Sequence, residues 1–166
     1  MWKASPLVFL IVSACTGPIE TRVDSRGLNE AQPVSILAGT DVVVTSSEAH
    51  RLVEQALFAK GFRAASESPK ADVSLHVTLS DRPADLSLNA GSEVLAPPSG
   101  KKRCAKREYR LGLTMIKIAD GTIFYKSNAA EYHCKQTVQQ ALPMLVDAAL
   151  KDIGNPRGAY VVKRPR

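Results

Sequence analysis

The residues best suited to chemistry in this 166-residue chain are its three cysteines, Cys15, Cys104 and Cys134, and its three histidines, His50, His76 and His133. Zinc sites draw such residues at short spacings. The chain has no CxxC or HxxxH pair, and the adjacent His133 and Cys134 would point to opposite faces of a strand. There is no GxSxG elbow and no glycine-rich phosphate loop, so each histidine reads as a surface residue. Asp72, Asp81 and Asp85 flank a long loop and have the chemistry of paired carboxylates, but strand-end and turn roles account for them as well or better. The reading is therefore of a non-enzyme: no catalytic residue, metal or cofactor is assigned. Cys104 and Cys134 suit a disulfide closing a loop of about thirty residues, worth about 3 kcal/mol; two reduced thiols are the alternative. Cys15 is left over, and its surroundings give it a different chemistry.

Met1-Trp2-Lys3 precedes an apolar run from Pro6 to Val12, followed by Ser13-Ala14-Cys15. One positive charge, a short apolar core and small residues at a cut site describe an export signal, and about ten apolar residues are too few to span a bilayer. Val12-Ser13-Ala14-Cys15 resembles the lipobox of bacterial lipoproteins, in which the cysteine is diacylated and becomes the new N-terminus. That resemblance implies lipidation at Cys15, and two acyl chains hold a domain stably at a membrane where one does not. It also implies an exported, oxidising compartment, in which a Cys104–Cys134 bridge persists. Thr16 follows Cys15 where an aspartate commonly retains lipoproteins on the inner membrane, so the resemblance points to the outer membrane, facing the periplasm.

Removing residues 1–14 leaves 152 residues, enough for one ordinary domain with a real core. Apolar residues are 45% and charged residues 23%, which excludes wholesale disorder and a membrane-embedded body. The net charge of +6 is concentrated: Lys101, Lys102, Arg103, Lys106 and Arg107 surround Cys104, and Arg157, Lys163, Arg164 and Arg166 lie near the C-terminus. These are candidate anion-binding groups, the five around Cys104 above all. In an envelope compartment their partners are lipid headgroups or anionic cell-wall polymers and not nucleic acid.

The elements that must position these residues follow from periodicity. Residues 15–33 read as a lipidated N-terminus and flexible tether with at most an early strand at its end, residues 34–155 as a single domain, and 156–166 as a basic tail in which Tyr160-Val161-Val162 either adds an edge strand or stays loose. Val34, Ile36 and Leu37 suit a strand. Thr45-Ser46-Ser47-Glu48 has capping-box spacing, and Ala49, Leu52, Val53, Ala56 and Leu57 continue as the stripe of an amphipathic helix that Gly61 stops. Val73, Leu75, Val77 and Leu79 alternate as a half-buried strand. Ser80 to about Gly100 is longer than ordinary loops. Tyr109, Leu111, Leu113 and Met115 resume the period of two, and Asp120-Gly121 predicts a two-residue hairpin in which Tyr109 faces Tyr132 and Cys134 faces Arg107. A Cys104–Cys134 bridge then requires a bend near Ala105. A second helix is expected from about Thr137 to Ile153, capped by Thr137 and Gln140 and interrupted or begun at Pro143.

This order predicts an α+β domain: a mostly antiparallel sheet of about four to five strands with two amphipathic helices on one face. With Lys60-Gly61-Phe62 after the first helix and Ala71-Asp72-Val73 opening the next strand, the chain resembles the small bacterial envelope lipoproteins grouped as the DUF4136 family. That resemblance implies an envelope location and this architecture, and carries no reaction. The function expected is a lipid-anchored binding or assembly module that contacts an anionic envelope polymer or another envelope protein. An accessory lipoprotein of a transport or secretion complex is the alternative, and an unrecognised hydrolase or metal-dependent enzyme a more distant one.

Overall fold

The computed structural model describes residues 18–29, 34–38, 47–67, 71–84 and 106–165. Among these, seven strands form one sheet: β1 (Ile19–Gly27), β2 (Ser35–Ala38), β3 (Arg63–Ala64), β4 (Val73–Pro83), β5 (Arg107–Lys117), β6 (Ile123–His133) and β7 (Gly158–Arg164). They lie in the order β3-β2-β4-β5-β6-β1-β7. Two helices, α1 (Ser47–Ala59) and α2 (Val138–Leu150), complete the fold. The expectation of four to five mostly antiparallel strands is overturned on two counts. Strands make up about half of the described residues, and the sheet is mixed, because β2 runs parallel to both β3 and β4. The reason is topological: α1 carries the chain from β2 back to the end where β3 must start in the same direction.

The two strands that the expected count omitted lie at the chain's ends. β1 falls where a tether was expected. Its inward positions are Ile19, Thr21, Val23 and Ser25, all buried, and its outward ones are charged, Glu20, Arg22 and Arg26 among them. Half of the inward set is polar, which hides a period of two from a hydrophobicity reading. β1 sits between β6 and β7, and β7 closes the sheet as its edge in the stretch left open between edge strand and loose tail.

β4, β5 and β6 form an antiparallel meander of three 11-residue strands. The hairpin at Asp120-Gly121 exists, but its register is not the one expected. Lys117 N–H donates to Thr122 O at 2.8 Å, making a four-residue turn, and an irregularity between Met115 and Ile116 shifts the ladder. Tyr109 consequently faces Glu131, not Tyr132, and Arg107 faces His133, not Cys134. A slip of one residue exchanges the two faces of a strand, so Glu131 and His133 turn inward beside Tyr109. The expectation of a surface His133 is corrected by the same shift: it is 5% exposed.

Both expected helices form, but α2 ends at Leu150 and is neither interrupted nor begun at Pro143. Ala49, Val53 and Leu57 of α1 and Leu142, Leu145, Val146, Ala149 and Leu150 of α2 pack with Leu75, Leu111, Leu113, Met115 and Tyr125 of the sheet into one core. Thr137 caps α2, its Oγ1 accepting from Gln140 N–H while the Gln140 side chain accepts from Thr137 N–H. Pro143 lies on the solvent side and the helix runs through it. Tyr125 Oη, deep in the core, donates to Ala149 O at 2.7 Å, and burial pushes its pKa up to about 12. The loop expected from Ser80 begins later, because Ser80 to Pro83 continue β4 in its ladder with β5; residues 85–100, the box residues Thr45 and Ser46 and the apolar cluster at Val42–Val44 lie outside the described residues.

Candidate functional site

Three buried carboxylates are the most conspicuous polar features. Glu131, fully buried, accepts from Thr21 Oγ1, lies 2.7 Å from His133 Nε2 and accepts from an Arg164 guanidinium nitrogen at 2.6 Å. The His133 ring stacks on Tyr109 at 5.3 Å between centroids. Asp152 accepts from Ser25 Oγ at 2.9 Å and from Arg157 Nε at 2.8 Å; burial alone would raise its pKa, but these donors hold it below the usual aspartate range. Glu108 is buried on the opposite face, gripped by Arg82 and Arg110, each through two nitrogens. Burial again opposes ionisation, and the two guanidiniums hold its pKa below the usual glutamate range. Each of these three carboxylates is thus matched inside a fixed ion pair, an arrangement that locks strands together. Among the described residues, no group of three or more His, Cys, Asp or Glu side chains could hold a metal ion.

Among the described residues, the face of the sheet away from the helices carries two hollows with room for a ligand. Its clearest hollow, about 410 Å³, opens at the end where β1 begins and is lined by Pro18, Glu20, Arg22, Lys106, Tyr132 and Cys134. The Arg22 guanidinium lies over the Tyr132 ring, 5.0 Å from its centroid, a cation–π contact that fixes the wall of the hollow. A second depression of about 370 Å³ continues across the same face above Ala130 and Ala159, bordered by Arg22, Arg110 and Asn128. Small side chains flanked by long cationic ones make this depression, and Arg22 borders both hollows.

The expected site residues divide sharply. Lys106 and Cys134 line the hollow. Arg107 does not join it as a free cation: its Nε donates to Asp81 Oδ1 on the neighbouring strand, and that carboxylate raises its pKa. Cys134 is not a free thiol. Cys15, Lys101, Lys102, Arg103 and Cys104 lie outside the described residues, as does Asp85. Asp72 serves the sheet by accepting from Ser35 N–H at 2.9 Å. His50 lies 3.5 Å from Glu54 one helical turn on, and His76 lies 3.3 Å from Ser74 Oγ. Glu20, Arg22 and Tyr132 were missed. The alternation of Ile19, Thr21, Val23 and Ser25 was the available signal for the first two, and Tyr132 needed the true register.

The fold is a mixed seven-stranded sheet with one face covered by two helices and, among the described residues, no helix on the other. No family model matches the chain, and no curated protein does. Its likeness is to solved structures. A PDZ domain protein from Parabacteroides distasonis is similar with a TM-score of 0.59 at 10% identity over 89% of this chain, which spans 39% of that protein's chain. Two structures of a PelC dodecamer from Paraburkholderia phytofirmans are similar with TM-scores of 0.49, at 13% and 11% identity, over 82% of this chain and 99% of theirs. At these identities the first likeness shows the fold alone.

Proposed function

We propose that this protein is a non-catalytic, lipid-anchored lipoprotein of the bacterial cell envelope, a binding module related in kind to the DUF4136 lipoproteins. The observation that carries the reading is the position of Cys15, the last residue of the lipobox-like Val12-Ser13-Ala14-Cys15, four residues ahead of an interior strand, β1. An acylated Cys15 would tie the membrane directly to the sheet, and the polar hollow lined by Arg22 and Lys106 opens at that same end. Its cations suit an anionic envelope component. No helix among the described residues is long and apolar enough to cross a membrane, so in this reading the lipid is the anchor. An outer-membrane location facing the periplasm, following from Thr16, and a Cys104–Cys134 bridge belong to the same proposal.

The test is fractionation of cells producing the full chain or its Cys15→Ser variant. The full chain should stay with membranes through washing at high salt and be released only by detergent, while Cys15→Ser should appear in the soluble fraction. Equal retention of both would overturn the lipid anchor.

A further inference from the structure

The ladders place five strand termini at one end of the sheet. Ile19 pairs with Arg164, Arg107 pairs with Pro83 on one side and His133 on the other, and Ile19 and His133 terminate strands that are themselves neighbours. The entry of β1, the exit of β4, the entry of β5 and the exits of β6 and β7 therefore converge. Four residue steps separate Cys15 from Ile19, which span at most about 14 Å even when fully extended. The far end of the 11-residue strands, at the turn after Lys117, lies roughly 30 Å away along the strand direction.

The charge at the near end is unbalanced. Its carboxylates are already matched: Glu20 by Lys163 at 3.4 Å, Asp81 by Arg107, Glu108 by Arg82 and Arg110, and Glu131 by Arg164. Arg22, Lys106 and Lys135 have no carboxylate partner among the described residues. Against them, among the described residues, stands Glu48 at the start of α1, which shares a hollow with Asp81 and has no cation partner there, and in sequence Asp85 follows Ala84 at this end. In sequence, Lys101, Lys102 and Arg103 lie within five residues of Lys106.

We infer that this end of the sheet rests on anionic lipid headgroups, with Arg22, Lys106 and Lys135 making the contact, so that the domain stands end-on to the bilayer with the open polar face running away from it. The inference rests on lipidation at Cys15 as proposed above and adds orientation and headgroup contact. Attraction between free charges fades within a Debye length of about 8 Å at physiological salt. An anchor this short allows the end of the sheet to come within that range of the headgroups, and tethering converts a weak encounter into an intramolecular one.

The lone tryptophan, Trp2, belongs to the signal segment, so the exported chain carries none and single-tryptophan reporters are clean. Lipidated Pro165→Trp, at the near end, and lipidated Ile118→Trp, at the exposed turn of the far end, would be reconstituted in vesicles containing phosphatidylglycerol and a headgroup-attached nitroxide quencher. Pro165→Trp should lose emission and Ile118→Trp should keep it. Adding Arg22→Ser, Lys106→Ser and Lys135→Ser should restore emission at 165 while the protein still sediments with the vesicles. Equal quenching of both reporters, or quenching at 165 that the triple substitution leaves unchanged, would overturn the docking. A chain that leaves the vesicles in high salt would sink the lipid anchor itself, an outcome distinct from either.

Discussion

Glu131 sits directly across the β5–β6 ladder from Tyr109, and that pairing decides which polar groups the core contains. Tyr109 Oη donates to Gln136 O at 2.7 Å, and its ring carries the stacked His133. Glu131 in turn receives Thr21 of β1 and Arg164 of β7. One carboxylate thus joins three strands that are far apart in sequence and explains how the late strand β7 is held to the sheet. A buried charge is tolerated only when its partners are complete.

Glu131→Ala should therefore destabilise the domain by about 3–5 kcal/mol, because it leaves the Arg164 guanidinium and His133 without their acceptor. Urea unfolding measures the loss. A change below about 1 kcal/mol, the scale of an ordinary surface pair, would show that the cluster does not hold β7.

Acid should destabilise the fold through Glu108 and Asp152. Both have folded pKa values below their ordinary 4.5 and 3.8, so each contributes stability that is complete above those ordinary values and is lost as pH falls through the lower folded ones. The melting temperature should hold down to about pH 5 and then drop. Glu108→Gln should flatten part of that drop, and an unaltered acid limb in this variant would contradict the assignment.

Removing the α2 cap is a smaller perturbation with a defined scale. Thr137→Ala takes away the hydroxyl that accepts from Gln140 N–H and should cost about 1 kcal/mol, whereas Thr137→Ser should cost little. Equal losses in the two variants would mean that the β-branched methyl, and not the hydrogen bond, matters at this position.

Much of this architecture is legible in the sequence where local signals agree. The stripe Ala49, Val53, Leu57, the alternation Val73, Leu75, Val77, and the box at Thr137 each state an element without help from the rest of the chain. β1 was hidden because its inward side includes Thr21 and Ser25, residues buried only because Glu131 and Asp152 lie ready to bond them. The face assignment of β6 failed for a different reason: one irregularity near Met115 sends Glu131 and His133 to the core, and no residue type there announces it. The candidate hollow depended on both failures. Lys106 and Cys134 stand out in the sequence through the basic cluster and the cysteine count, while Glu20, Arg22 and Tyr132 need the sheet order.

Lipidation at Cys15 is read out by the intact mass of the protein extracted from membranes, measured before and after reduction and compared with Cys15→Ser. A lipid-anchored protein has an N-terminus at Cys15 carrying diacylglycerol, lost in Cys15→Ser, and gains two protons on reduction of a Cys104–Cys134 bridge. A chain that keeps residues 1–14, or that begins at Cys15 without lipid, would contradict it.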